Sequence, residues 1–421
     1  VSFSKELPDS LCVVPWINAS LDVNGAIRPC CKFSHQASDS IYQLGNLKDL
    51  SLQDLWNSSG MQLLRKNFLA GIKPKECSTC WNEEASGMTS YRQTFLEGRV
   101  ENPDIDYTYL TPSAPKTLDL KVSNVCNLKC RICGPVASSS WLKEMLEHNP
   151  ADDPYLRDND NYFLSNKITE KPDNLEAFIQ WLPGINHVEI FGGEPFLSRE
   201  NREIEDLMID RGEASHISLL YNTNITIFRE DMKERWEKFK RVTICLSLDD
   251  IGARLEYERT PSDWSQIERN LASYRKINGG NKKIILFCSV SNYNIWYLPE
   301  YILWRAEHCP ELELNFNIVH NDAELAIVQL PEAMKKKVRV KFTQFIEKSQ
   351  LDSKDPVLAE KLIHVLSFME SRSGDTELWL KFLRKTQYLD RIRKQSFSSV
   401  FPDYFEALEA ESAFTCSTRL P

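Results

Sequence analysis

Residues 117–134 read TLDLKVSNVCNLKCRICG. In the first seven, Leu118, Leu120 and Val122 alternate with Asp119, Lys121 and Ser123. A side-chain period of two makes this a strand with one apolar and one polar face. Cys126, Cys130 and Cys133 follow at once as C-x3-C-x2-C. Three thiolates on one short loop can hold three irons of a 4Fe–4S cubane and leave the fourth iron open to an external ligand. A structural zinc ion needs four closed ligands. The nearest histidine, His148, lies beyond a stretch of helical text.

Working outward, five more strands follow: HVEIF (187–191), HISLLYN (216–222), RVTICLSLD (241–249), KKIILFCSV (282–290) and ELELNFNIV (311–319). Helical text separates them at Leu175–Trp181, Arg199–Arg211, Arg229–Lys238, Trp264–Ile277 and Trp296–Glu307. Strands alternating with helices predict an α/β fold with a parallel sheet or barrel. In the last strand Leu312, Leu314, Phe316 and Ile318 alternate with Glu313, Asn315 and Asn317. Helices cover the apolar face, which leaves a polar face opposite. Closed eight-stranded barrels fill their interior with branched apolar side chains. A polar interior instead predicts an open, partial barrel with a ligand cavity, the alternative being a sheet with one solvated face. Lys121, Glu189, Asn315 and Asn317 are cavity candidates by alternation.

The loop and its surroundings resemble the radical S-adenosylmethionine (SAM) superfamily. Ile132 stands where that family usually has an aromatic residue, and still offers adenine an apolar contact. Gly192, Gly193, Glu194 and Pro195, at the end of the second strand, resemble the family's GGEP motif, which contacts the methionyl ammonium of SAM. Asn224 and Asn222 in YNTNIT, Ser247 and Asp249 in SLD, and Arg259 in YERTP resemble further SAM-contacting positions. The resemblance covers roughly 117–320 and implies a partial (β/α)6 barrel. It also implies an enzyme whose reduced cluster cleaves SAM to methionine and a 5′-deoxyadenosyl radical, which takes a hydrogen atom from a substrate. An electron donor such as a flavodoxin or ferredoxin belongs to that chemistry.

The first hundred residues carry a second constellation. Cys12, twelve residues, Gly25, four residues, Cys30, then Cys77-x2-Cys80 resembles the ligand pattern of twitch and SPASM auxiliary-cluster domains. It implies one auxiliary 4Fe–4S cluster on four cysteines. Gly25 would serve a hairpin turn in DVNGAI. Cys31 competes with Cys30, and the glycine spacing favours Cys30. A four-cysteine zinc site fits the same spacing. In the better-known members this module follows the barrel, whereas here it precedes it. The expected organisation is 1–105 auxiliary-cluster domain, a Pro- and Tyr-rich linker near 101–116, 117–320 partial barrel and 321–421 helical region. No chemistry is legible in the last of these. Residues 149–172 read as an acidic, loop-rich insertion.

Of the twelve cysteines, Cys245, Cys288, Cys309 and Cys416 are isolated and read as core thiols. Cys245 shares a strand face with Ser247 and Asp249, where a thiol could return a hydrogen atom to a substrate radical. Tightly spaced cysteines in a chain without a recognisable export signal favour metal over disulfides. The 421 residues are 42% hydrophobic and 26% charged, which is globular composition. A net charge of −9 disfavours nucleic acid as a partner. No apolar run is long enough to span a bilayer, and a cytoplasmic location is expected. The substrate class expected from the resemblance is a peptide or protein side chain, undergoing crosslinking, epimerisation or oxidation. Dehydrogenation or rearrangement of a small molecule is the alternative. A non-catalytic metal-cluster scaffold is the rival of another class.

Overall fold

The computed structural model describes residues 8–34, 40–97, 106, 109–148, 172–319 and 322–410. Cys416 and most of the 149–172 insertion lie outside them.

A hairpin comes first, β1 (Asn18–Leu21) and β2 (Ile27–Arg28), paired antiparallel. Six strands follow: β3 (Thr117–Leu120), β4 (His187–Ile190), β5 (Ser218–Thr223), β6 (Arg241–Ser247), β7 (Lys282–Val290) and β8 (Glu313–Ile318). From β3 onward each pairs in parallel with the next, so the order in space is the order in the chain. Parallel neighbours need a crossover between them. Helices Pro172–Trp181, Arg199–Asp210, Trp264–Lys276 and Leu298–His308 lie in those crossovers, with a shorter one at Met232–Trp236.

One face of the sheet is apolar because alternate side chains are. Val242, Ile244 and Leu246 of β6 share a core with Ile204 and Met208 of one crossover helix and Ile267 and Leu271 of another. Fully burying one such side chain contributes about 2 kcal/mol. On the opposite face Thr243 and Ser247 stay half-buried and Cys245 is buried.

The N-terminal hairpin belongs to this sheet. Strand β1 lies parallel to β3 in the register Asn18↔Thr117 to Leu21↔Leu120, giving eight strands in the order β2-β1-β3-β4-β5-β6-β7-β8. Buried Asn18 fixes the junction: its Nδ2 donates to Asp119 Oδ2 at 3.0 Å, and its Oδ1 accepts from Thr117 Oγ1 at 2.6 Å. Gly25, at φ +87°, closes the hairpin. Arg65, fully buried in helix Ser59–Leu69, donates to the carbonyls of Pro15, Trp56 and Leu110 and holds the segment entering β3 against the N-terminal helices.

After β8 the chain is helical, as its text predicts, in Glu332–Ser349, Pro356–Glu370, Thr376–Arg393 and Pro402–Glu409. Among the described residues no helix is long and apolar enough to cross a membrane.

Candidate functional site

The loop leaving β3 is pinned on both sides. Lys129 N donates to Thr260 O at 2.7 Å and Arg131 N to Glu258 O at 2.7 Å. On the other side, Trp141 Nε1 of helix Ser139–His148 donates to Cys130 O at 3.0 Å. Cys126 and Cys130 are buried and Cys133 half-buried, packed with Leu128 and Ile132. Burial, then the neighbouring Cys130, pushes the Cys126 thiol up to about 12. A hydrogen bond from Cys133 holds Cys130 below the usual thiol range, helped by the charges of Arg259 and Arg393.

The GGEP segment is stitched to this loop. Gly193 N donates to Ala137 O at 3.2 Å and Glu194 N to Val125 O at 2.8 Å. Gly193 has φ +57°, and a Cβ there would stand 2.4 Å from Val125 O. Only glycine tolerates both the conformation and the approach.

Between loop and sheet lies a cavity of about 330 Å³. The three cysteines, Ile132, Gly192 and Gly193 form one wall. The polar ends of successive strands form the next, with Asn222, Asn224, Ser247, Ser289 and Asn317. Arg259 and Lys121 line it too, and Lys32 and Thr79 reach it from the N-terminal region. The polar sheet face expected from alternation thus borders a cavity rather than open solvent.

Three expected contact residues stand behind that wall. Pro195 does not line the cavity, and Glu194 is fully buried, accepting from Thr223 Oγ1 and Asn224 N, each at 2.8 Å. Burial lifts its carboxyl to about 7. It therefore orients the end of β5 instead of facing the cavity. Asp249, also fully buried, accepts from Arg259 Nε at 2.7 Å and Ser289 N at 2.8 Å, and so aims a cavity arginine. Asn224 is clamped by Thr226 and Asn127. Ile225 beside it is held at φ +67°, a costly conformation for a β-branched residue that marks a constrained turn.

Of the candidates from alternation, Lys121 and Asn317 line the cavity, while Glu189, Asn315 and Cys245 do not. Lys32, Thr79 and Ser289 were missed. The first two come from a segment whose distance in sequence hides its proximity, and Ser289 was legible as a polar residue at the C-terminal end of a recognised strand.

The second constellation assembles beneath the hairpin. Cys12, Cys30, Cys77 and Cys80 surround a small void with Phe33, Phe68, Trp81 and Tyr91. Cys31 does not line it. Burial, then the neighbouring cysteines, raises the Cys30 thiol well above its usual range, and burial lifts Cys12 to about 12. Four thiols in a dry pocket stay neutral unless a cationic group compensates their charge, which is the donor set an iron–sulfur cluster requires. Arg92 braces the site, donating to Asp9 O, Leu11 O and both oxygens of Glu84.

Residues 12–81 match the family model of SPASM, an iron–sulfur cluster-binding domain. No curated protein matches the chain. Among solved structures, native anSMEcpe with bound AdoMet is 18% identical, with 56% of this chain and 62% of that chain covered and a TM-score of 0.38. Native anSMEcpe with bound AdoMet and Kp18Cys peptide is 17% identical, with 48% and 51% covered and a TM-score of 0.35. Streptococcus suis SuiB bound to S-adenosylmethionine is 15% identical, with 69% and 62% covered and a TM-score of 0.34. The match thus spans between 51% and 62% of the length of these proteins. Likeness at that level says nothing of chemistry, which the residues themselves must carry.

Proposed function

We propose that the chain is a radical SAM enzyme with one auxiliary 4Fe–4S cluster, acting on a peptide or protein side chain. The observation that carries this reading is that Cys126, Cys130 and Cys133 line one cavity together with the paired glycines and the polar strand ends.

Cys126, Cys130 and Cys133 would hold the catalytic cluster, and Cys12, Cys30, Cys77 and Cys80 the auxiliary one. The chemistry supplied when cluster and SAM are bound is one-electron reductive cleavage of the sulfonium, yielding a radical that abstracts hydrogen. The chain's own residues bind, orient and exclude water. Gly192 and Gly193 let a ligand approach the backbone, Ile132 offers an apolar contact, and Asn222, Asn224 and Ser247 offer hydrogen bonds. Arg259, aimed by Asp249, supplies a fixed positive charge.

A peptide substrate is supported by a second groove of about 310 Å³ between helix Ser78–Ala85 and residues Phe368–Arg372. Thr79 lines both the groove and the cavity, and an extended chain lying in the groove would pass beside it. The test is anaerobic reconstitution with iron and sulfide, then assay of 5′-deoxyadenosine from SAM under a strong reductant. We expect turnover that C126A/C130A/C133A abolishes. A full cluster load without SAM cleavage would leave the scaffold reading standing.

A further inference from the structure

The three-cysteine loop carries a cation whose partner comes from the far end of the chain. Arg131 lies between Cys130 and Cys133 in sequence, and its side chain is fully buried. Nη2 donates to Asp390 Oδ1 at 2.6 Å and Gln395 Oε1 at 2.9 Å, and Nε to Tyr257 O at 3.1 Å. The guanidinium carbon stands 3.6 Å from the centre of the Tyr257 ring. Asp390 is itself held, accepting from Tyr257 Oη at 2.6 Å and Phe397 N at 2.7 Å.

A second pair repeats the arrangement. Arg393, its side chain 1% exposed, donates Nε and Nη2 to Glu144 Oε2 at 3.0 and 2.7 Å, and Lys129 of the loop reaches the same carboxylate. Glu144 shares helix Ser139–His148 with Trp141, the donor to Cys130 O. Leu389 and Ile392 pack into the same small core as Trp141 and Cys133.

If helix Thr376–Arg393 merely covered the loop, apolar side chains would serve better, because burying guanidinium groups is costly unless their charge is answered. Asp390 answers Arg131 and Glu144 answers Arg393. Buried Nη1 of Arg131 and Nη1 of Arg393 have no hydrogen-bond partner among the described residues. Lys129 shares the Glu144 carboxylate that already answers Arg393, so one positive charge remains over beside three thiols that become anionic when they ligate metal.

Resting on the reading above, we propose that residues 376–397 are a positioning element of the three-cysteine site. Asp390 and Gln395 fix Arg131, and Arg393 with Lys129 fixes Glu144. The two guanidiniums hold the loop's shape and set the electrostatics for an anionic cluster. Outer partners of metal ligands commonly matter at this level, their loss costing about 10- to 100-fold in metal affinity.

The experiment compares parent, R131K, R393Q, D390N and D390E proteins after anaerobic reconstitution, with the auxiliary cluster as internal reference. Electron paramagnetic resonance with and without SAM identifies the SAM-responsive cluster, and a redox titration gives its midpoint potential. R393Q removes a nearby positive charge and should shift that potential down, whereas D390N removes a negative one and should shift it up. R131K should lose the SAM-responsive signal about tenfold faster on exposure to a chelator, with the auxiliary signal unchanged. D390E should restore parent behaviour. Potentials at parent value in both charge variants, or two clusters lost in step, would overturn the proposal. A parent protein without any SAM-responsive cluster would instead sink the enzymatic reading.

Discussion

Cys30 and Cys31 are neighbours in the chain and face different chemistry. Cys30 joins Cys12, Cys77 and Cys80 around the dry void. Cys31 feels Asp119 and Glu189 on the polar side of the sheet, and burial, then those carboxylates, raises its thiol. Ligation needs a thiolate whose charge the metal answers, and only Cys30 stands with the other three. C30S should therefore lose about four irons per chain, the content of one cubane, while C31S keeps them. Iron and sulfide analysis of the reconstituted variants checks this, and the reverse outcome would reassign the ligand. The glycine spacing made Cys30 the favoured ligand without settling the matter. Settling it takes the hairpin register, because one residue of slip exchanges the two side chains between faces.

Among elements, the turn from β4 into residues 191–197 was legible, and its inner workings were not. Gly192 and Gly193 after a recognised strand point to a tight approach, and the structure puts Gly193 against the backbone of Val125. Alternation tells which face of a strand a residue takes but stops where the strand stops. The rotation of the Glu194 carboxylate toward β5, away from the cavity, was therefore hidden. The same limit hid Asp390, which lies 259 residues from its partner Arg131. Helical text between them read correctly as helix, yet periodicity carries no information on which distant loop a helix end will meet. Because Gly193 joins positive φ to a close contact, G193A should destabilise the chain by about 1–3 kcal/mol. It should also push the cysteine loop from the strand ends and weaken SAM binding to the reconstituted protein. Denaturation midpoint and equilibrium binding measure the two effects. Lost stability with unchanged SAM affinity would mean that this turn does not shape the ligand site.

At the scale of the whole molecule, the two cysteine sites share one sheet. Strand β1 is only four residues long, NASL, too short and too weakly patterned to announce itself, so its pairing with β3 could not be read from periodicity. That pairing covers what would otherwise be an open edge of unpaired backbone groups. It also sets Cys12, before β1, and Cys30, after β2, at a fixed distance from the loop that follows β3. Mechanical continuity of this kind predicts thermodynamic continuity: residues 8–97 and the parallel strands should unfold together rather than in two steps. Asn18 is the residue on which to test it, since it bridges β1 to both Thr117 and Asp119 at the junction. Replacing it by leucine leaves Asp119 buried with one donor fewer, which costs about 1–3 kcal/mol. If the sheet is one cooperative unit, N18L lowers a single midpoint, recorded alike by far-ultraviolet circular dichroism and by bleaching of cluster absorbance. If the N-terminal region is an independent body, the cluster signal of the variant separates from the backbone signal and the parallel strands keep their parent midpoint.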